Sequence, residues 1–135
     1  MSSTALAEIL GVEDQQQLPR TIVLNGLDYS AIERLAELYD LKISEFCNLL
    51  PVSQKTLERH KEKRLGIDLA DHLVLLGGVY ERALEVMETR EYALNWLKTP
   101  NYAFSYTRPL DLLRTFAGGA DVLDELGRIQ HGIFV

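Results

Sequence analysis

The stretch from Asp68 to Met87, DLADHLVLLGGVYERALEVM, is the longest helical pattern in the chain. Its apolar residues return every three or four positions over about five turns, which predicts one long helix with a buried face. That face is formed by Leu69, Leu73, Leu76, Val79, Tyr80, Ala83, Val86 and Met87. Gly77 and Gly78 each cost about 1 kcal/mol in a helix interior, so we expect another helix to cross closely there.

Shorter helical patterns precede this helix. The first, around Leu6 to Leu10, is closed by Gly11, and a polar loop at 13–17 follows. Pro19 is predicted to open a second helix that stops near Asn25-Gly26, a strand over 21–24 being the weaker alternative. Ser30 is predicted to cap a third, with Glu33 completing a capping box.

Helical patterns also follow the long helix. One is expected from Glu91 to Lys98, and Thr107 is expected to cap another that contains Pro109. Gly118-Gly119 is predicted to break that helix before a last one, from about Ala120 to His131. The fold class is therefore all-α. No apolar run approaches the roughly 20 residues of a membrane span, and one cysteine cannot form an internal disulfide, so we expect a cytoplasmic protein.

A helix-turn-helix is predicted near the middle of the chain. Apolar residues at 43, 46, 47 and 50 mark a first helix, and Pro51-Val52 interrupts it. Ser53 is a natural N-cap for a second helix running to about Lys63. Two short helices joined by a tight turn, the second polar and basic, are typical of DNA-binding proteins. Cys47 is expected to be a buried packing thiol.

The charge of the chain is unevenly distributed. The net charge is −6, but residues 53–65 hold five basic and two acidic side chains, so this segment carries +3 and the rest −9. A basic patch on an acidic body can bind DNA phosphates, most effectively in a dimer. The alternative is a solvated helix face of mixed charge.

The second helix would place its first residues against base edges in the major groove. The residues expected to contact bases follow the N-cap Ser53, and they are Gln54, Lys55, Thr56 and Arg59. Their side chains carry hydrogen-bond donors and acceptors that match those of the base edges. Other residues are expected to contact phosphates: His60, Lys61, Lys63 and Arg64. The alternative is a helix-turn-helix that serves only as a structural hairpin.

No catalytic or cofactor-binding pattern is present. His60, His72 and His131 lack metal-ligand spacing with one another or with Cys47, and no glycine-rich phosphate loop is found. The carboxylates at 121, 124 and 125 are explained by a helix dipole that favours negative charge in the first turns. The sequence therefore predicts a protein that is not an enzyme, with no metal and no cofactor.

The C-terminal half resembles a known family. The resemblance is carried, in order and spacing, by Trp96-Leu97, Thr99-Pro100-Asn101, Pro109-Leu110-Asp111-Leu112-Leu113, Gly119 and Leu126-Gly127-Arg128-Ile129-Gln130-His131-Gly132. These motifs resemble the toxin-binding domain of Xre/MbcA/ParS-type antitoxins, the partners of RES-domain toxins. Ser53 to Leu57, followed by Arg59, looks like the recognition helix of the same proteins. Residues 104–108 depart from the family pattern, because members often have a small, glycine-containing loop there.

The resemblance implies an antitoxin of a type II toxin–antitoxin system: a helical homodimer that binds its toxin and represses its own operon by binding operator DNA. RES toxins of this group consume NAD, so the antitoxin would occlude an NAD site. The toxin-binding residues so implied are Trp96, Arg128, His131, Gly132, Ile133, Phe134 and Val135. Arg128 would form an ion pair across the interface, and Ile133 and Phe134 would act as buried anchors.

The predicted organisation is an N-terminal part with the helix-turn-helix, residues 1–66, and a toxin-binding or dimerisation part, residues 67–135. The apolar ending at 133–135 must pack either on its own domain or in a partner. The runner-up function is a stand-alone transcription regulator whose C-terminal part only dimerises. A small helical enzyme has no support in the sequence.

Overall fold

The computed structural model describes residues 3–12 and 19–132 of the chain. Within these ranges every regular element is a helix, which confirms the all-α prediction. The helices are α1 (Ser3–Leu10), α2 (Pro19–Asn25), α3 (Ser30–Leu38), α4 (Ile43–Phe46), α5 (Gln54–Glu58), α6 (Ile67–Met87), α7 (Arg90–Lys98), α8 (Pro109–Leu112) and α9 (Phe116–Gly132). Short 3₁₀ helices lie at Cys47–Leu49 and Tyr102–Phe104. The loop expected at 13–17 lies outside the described residues.

The long helix α6 is the centre of the fold. It packs against α1, α2 and α3 and also against α7 and α9, so one hydrophobic core joins the two ends of the chain. The buried hydroxyl of Tyr39, in the residue after α3, donates a hydrogen bond of 2.7 Å to the carbonyl oxygen of Leu76. Burial, together with the nearby Tyr80, raises the pKa of Tyr39 far above its usual value, so its hydroxyl stays protonated as a donor.

Two glycines let helices approach α6 closely. A Cβ on Gly77 of α6 would lie 2.9 Å from Cδ1 of Leu6, so α1 crosses where the sequence predicted a close crossing. A Cβ on Gly119 of α9 would lie 2.8 Å from Cδ2 of Leu75 on α6. Both crossings therefore depend on a missing side chain.

The prediction that Gly118-Gly119 breaks a helix was wrong. The break lies at residues 113–115, and both glycines belong to the first turns of α9. The hydroxyl of Thr115 accepts a hydrogen bond of 3.0 Å from the backbone N–H of Gly118. Because α9 begins at Phe116, the acidic residues at 121, 124 and 125 lie beyond its first turn, and the predicted dipole interaction does not explain them.

The second helix of the predicted helix-turn-helix is shorter than expected. It ends at Glu58 rather than near Lys63, and turns follow it. The physical reason is the burial of Leu65, whose backbone N–H donates a hydrogen bond of 2.7 Å to the carbonyl oxygen of Leu27. The chain must turn back toward the start of α3 to make this contact.

Ser30 is not the N-cap of α3, as was predicted, but its first residue. The carboxylate of Asp28 accepts the Ser30 backbone N–H at 3.2 Å, so an acidic side chain two residues earlier satisfies this donor.

Basic side chains satisfy carbonyl groups at the ends of several helices. Arg34 donates to the carbonyl oxygen of Glu8 at the end of α1, at 2.7 Å. Arg90 of α7 donates to the carbonyl oxygens of Glu37 and Leu38 in α3, at 3.0 and 3.2 Å. These cations complement the negative ends of helix dipoles.

We predict opposite effects of alanine at two glycines of α9. A Cβ on Gly118 would overlap the carbonyl oxygen of Leu112, whereas a Cβ on Gly127 has no atom within 4 Å. Gly118→Ala should lower the free energy of unfolding by about 1–3 kcal/mol, because backbone must move. Gly127→Ala should raise it by about 0.5–1 kcal/mol, because alanine favours the helix. Urea denaturation of both variants measures these effects; equal stabilities would contradict the described packing.

Candidate functional site

The segment predicted to be a helix-turn-helix consists of α4, the 3₁₀ helix at 47–49, a turn and α5. The hydroxyl of Ser53 accepts the backbone N–H of Thr56 at 3.2 Å, which confirms Ser53 as the N-cap. Leu57 and Cys47 are buried, as predicted. Burial and the negative charge of Glu58 raise the pKa of the Cys47 thiol, which disfavours the nucleophilic thiolate form.

The residues predicted to bind DNA fall into two groups. Five of them make side-chain contacts within the chain. The hydroxyl of Ser53 donates a hydrogen bond of 3.0 Å to the hydroxyl oxygen of Thr56. Nδ1 of His60 lies 2.7 Å from the carbonyl oxygen of Thr56, and Arg64 donates to the carbonyl oxygen of Gly26 at 3.2 Å. The ammonium of Lys61 lies 5.5 Å from the ring centre of Tyr29.

The second group is exposed and free to bind an outside ligand. The side chains of Lys55, Arg59 and Lys63 lie at the surface and make no hydrogen bond or ion pair with any residue that the structure describes. Gln54 is half-buried and has no such partner either. These four side chains form the available polar surface of the helix-turn-helix.

The described residues among those predicted to bind a toxin lie on two helices. Trp96 is half-buried on α7, whereas Arg128 and His131 are exposed on α9. The guanidinium of Arg128 lies 3.4 Å from the carboxylate of Glu125, and its side chain is 72% exposed. Among the described residues, no hydrogen bond, ion pair or ring contact joins Trp96 to Arg128. Gly132 is exposed at the end of α9, and Ile133, Phe134 and Val135 lie outside the described residues.

Trp96 belongs to an aromatic surface that the sequence argument did not assign. Its ring packs edge-on against Phe104, with ring centres 6.4 Å apart. Tyr102 and Tyr106 stack edge-on at 5.8 Å and are 81% and 69% exposed. We call Trp96, Phe104, Tyr102 and Tyr106 the aromatic surface. Its signal in the sequence is the segment 102–106, in which three of the five residues are aromatic.

The loop at 101–107 holds these rings in place through backbone hydrogen bonds. The N–H of Asn101 donates to the carbonyl oxygen of Thr107 at 3.1 Å. The N–H of Tyr106 donates to the carbonyl oxygen of Asn101 at 2.8 Å. Ser105 and Tyr106 have φ angles of 54° and 65°, which non-glycine residues rarely adopt. Backbone strain of this kind persists where surrounding contacts enforce it, and it clusters at functional positions.

A paired arginine and aspartate follow this loop at the start of α8. Two guanidinium nitrogens of Arg108 donate to the two carboxylate oxygens of Asp111, at 2.9 and 2.7 Å. Arg108, rather than the predicted Thr107, occupies the N-cap position of α8. The hydrogen bond from Arg108 holds the pKa of Asp111 below its usual value.

Two classes of feature were not found in the described part of the chain. It contains no group of three or more histidine, cysteine, aspartate or glutamate side chains placed to hold a metal ion. None of its helices is both long enough and apolar enough to cross a membrane.

Comparison with known families identifies the segment that carries the aromatic surface and α9. Residues 82–132 match the antitoxin Xre/MbcA/ParS C-terminal toxin-binding domain. This segment is thus similar to an antitoxin toxin-binding domain. This confirms the resemblance stated from the sequence motifs.

Two curated relatives agree with this assignment. An antitoxin Xre of Yersinia enterocolitica is 26% identical over 86 residues, which cover 63% of this chain and 58% of the relative. An antitoxin Xre of Photorhabdus laumondii is 39% identical over 44 residues, which cover 33% of this chain and 30% of the relative. The chain therefore spans about a third to somewhat over half of the length of these relatives.

We predict that the Asp111 carboxyl titrates below its ordinary pKa of about 3.9 because of Arg108. Since the pKa is lowered by folding, the pair stabilises the protein above the unfolded pKa, and this stabilisation is lost as the pH falls through the folded pKa. Arg108→Gln should raise the Asp111 pKa toward its ordinary value, which NMR titration of the carboxyl carbon measures. An unchanged pKa in Arg108→Gln would contradict the pairing.

Proposed function

We propose that this chain is the antitoxin of a type II toxin–antitoxin system, and that it binds a RES-type toxin that consumes NAD. The observation that supports this most directly is the match of residues 82–132 to a toxin-binding domain. The chain itself acts as a non-catalytic cytoplasmic inhibitor, with Trp96, Arg128, His131, Gly132 and residues 133–135 as contacts to the toxin. Inhibition occurs because the bound antitoxin covers the NAD site of the toxin.

The activity of the protein encoded next to this gene tests the proposal. Full-length chain should copurify with that protein and suppress its NAD turnover at equimolar concentration. A shortened chain that ends at His131 should bind more weakly, because Ile133 and Phe134 would no longer reach the partner. If neither form binds nor inhibits, the chain is instead a stand-alone transcription regulator.

The aromatic surface supplies a second set of contacts in this proposal. Exposed tyrosines held by a rigid loop suit a protein interface, because large rings bury apolar area and lose little conformational freedom there. We expect Tyr102→Ala combined with Tyr106→Ala to weaken toxin binding by about tenfold or more, equivalent to about 1.4 kcal/mol.

The matched control is Leu24→Ala. Leu24 is 71% exposed on α2, outside the segment matched to the toxin-binding domain, so its loss should leave toxin affinity unchanged. Calorimetric titration of toxin with both variants measures the difference. Equal toxin affinities of the double tyrosine variant and the control would show that the aromatic surface does not contribute to toxin binding.

We further propose that the helix-turn-helix binds operator DNA as a homodimer and represses the operon of the chain. Half-buried Gln54 and Thr56 and exposed Lys55 and Arg59 are assigned to base edges, and Lys63 to a phosphate, with Ser53 as the cap. His60, Lys61 and Arg64 remain phosphate contacts in this proposal, although each also holds the local backbone or a ring. A dimer is required because the local charge of one protomer is only +3 on an acidic chain.

Lys63→Ala and Arg64→Ala should separate contact with a DNA phosphate from stabilisation of the fold. Lys63→Ala should weaken DNA binding and its salt dependence without a change in the free energy of unfolding, because Lys63 has no partner in the described chain. Arg64→Ala should also lower that free energy by up to about 1 kcal/mol, because Gly26 loses a hydrogen-bond donor. Fluorescence anisotropy with the upstream DNA and urea denaturation give both values. DNA binding that is insensitive to salt would contradict the phosphate assignments.

A further inference from the structure

An open cleft of about 550 Å³ lies between the helix-turn-helix and the turn that precedes α9. Its polar lining comes from three separate parts of the chain: Ser44 and Asn48 from the first helix region, Ser53 and Gln54 from the start of α5, and Arg114 and Thr115 from the turn between α8 and α9. The cleft therefore combines predicted DNA-binding residues with residues of the toxin-binding domain.

The cleft is electrostatically unlike the rest of the molecule. The chain carries a net charge of −6, yet none of the described residues lining the cleft is acidic and Arg114 is cationic. Two carboxylates near these residues in sequence are already engaged. Glu45 accepts the backbone N–H of Lys42 at 3.0 Å, and Asp111 is paired with Arg108. The positive charge of Arg114 favours an anion in the cleft, whereas the nearest negative charge identified by its effect on a lining residue is that of Glu58, which acts on Cys47.

Several hydrogen-bond donors of the cleft are unused. In the part of the chain that the structure describes, the side chains of Ser44, Asn48, Gln54 and Arg114 have no hydrogen bond or ion pair. The Thr115 hydroxyl oxygen accepts the Gly118 N–H, so its own hydrogen remains available to another acceptor. Hydroxyl, amide and guanidinium donors together match the oxygens of a phosphate.

The position of Arg114 is fixed by the core. In the preceding residue, the carbonyl oxygen of Leu113 lies 2.9 Å from Nε2 of His72, a buried residue of α6. On the other side, Thr115 holds the first turns of α9. The turn thus presents an exposed guanidinium from a rigid backbone, which reduces the entropy lost on binding.

We propose that Arg114 binds a backbone phosphate of the operator DNA, so that the toxin-binding domain contributes directly to the DNA interface. This inference rests on the proposed DNA binding by the helix-turn-helix. DNA is favoured over a free anion because Gln54 lines the same open cleft and is itself assigned to a base edge. Phosphates flank every base edge that a helix-turn-helix contacts.

The test compares the DNA affinity of two variants of the full chain, Arg114→Ala and Arg20→Ala. Fluorescence anisotropy measures this affinity at salt concentrations from about 50 to about 300 mM, a range wide enough to give the salt dependence of binding. Arg20 is exposed on α2, is absent from the cleft and gives the same change in net charge. Arg114→Ala should reduce the slope of log affinity against log salt by about 0.9 per lost phosphate contact and weaken specific and non-specific duplexes alike. Arg20→Ala should keep the wild-type slope, and Arg114→Lys should restore it, because lysine keeps the charge.

Toxin binding and far-ultraviolet circular dichroism of Arg114→Ala should match the wild type, which shows that the variant is folded. Equal slopes for Arg114→Ala and Arg20→Ala would overturn the inference while leaving the proposed DNA binding intact. Calorimetry can also show whether the chain binds inorganic phosphate. If Arg114→Ala abolishes phosphate binding but leaves DNA affinity unchanged, the cleft binds a free anion and the inference about DNA is overturned. A wild-type chain that binds no duplex at 50 mM salt, a low salt concentration at which phosphate contacts are strongest, would overturn both proposals.

Discussion

The burial of α6 is the constraint on which the rest of the structure depends. Its apolar side chains cannot be covered by one neighbour, so helices from both ends of the chain pack against it. The covering helices come close at Gly77, which faces α1, and at Gly119, which faces α6 from α9. The predicted helix-turn-helix and the segment matched to a toxin-binding domain consequently share a hydrophobic core.

Polar contacts reinforce this connection at its edge. Arg90 and Lys98, at the two ends of α7, donate hydrogen bonds to carbonyl groups of Glu37, Leu38 and Asp40, which immediately precede the helix-turn-helix. The helix that carries Trp96 is therefore bonded to the backbone that leads into α4. Since that backbone enters the left-handed region at Asp40, with φ of 54°, the contact from Lys98 fixes a turn of restricted conformation.

The sequence predicted the helices whose signals are local. The apolar period gave α6 and α7, and Pro19 marked the start of α2. Its errors arose where a distant contact outweighed a local preference. The N–H of Leu65 donates to the carbonyl oxygen of Leu27, and α5 is shorter than predicted because the chain turns back to make this bond. Gly118 lies inside α9, although glycine disfavours a helix interior, because any side chain at this position would overlap the backbone of Leu112.

The candidate site shows the same division. The N-cap role of Ser53 and the burial of Cys47 followed from neighbouring residues, and the structure confirms both. The assignments of residues to DNA and to toxin stay predictions. Arg114 could not be found from sequence, because only folding brings it to the same cleft as Gln54. The strained conformation of Tyr106 likewise depends on hydrogen bonds that close the loop, not on a residue preference for positive φ.

The shared core around α6 is the central physical claim, and the chain contains two probes that test it. Trp96 is its one tryptophan and reports on the segment matched to a toxin-binding domain, while Cys47 is its one cysteine and reports on the predicted helix-turn-helix. Urea denaturation should be followed by Trp96 fluorescence and by the reactivity of Cys47 toward a thiol reagent. A shared core predicts the same midpoint for both probes, because the two parts unfold together. Separate midpoints would contradict it and show that the two parts fold independently.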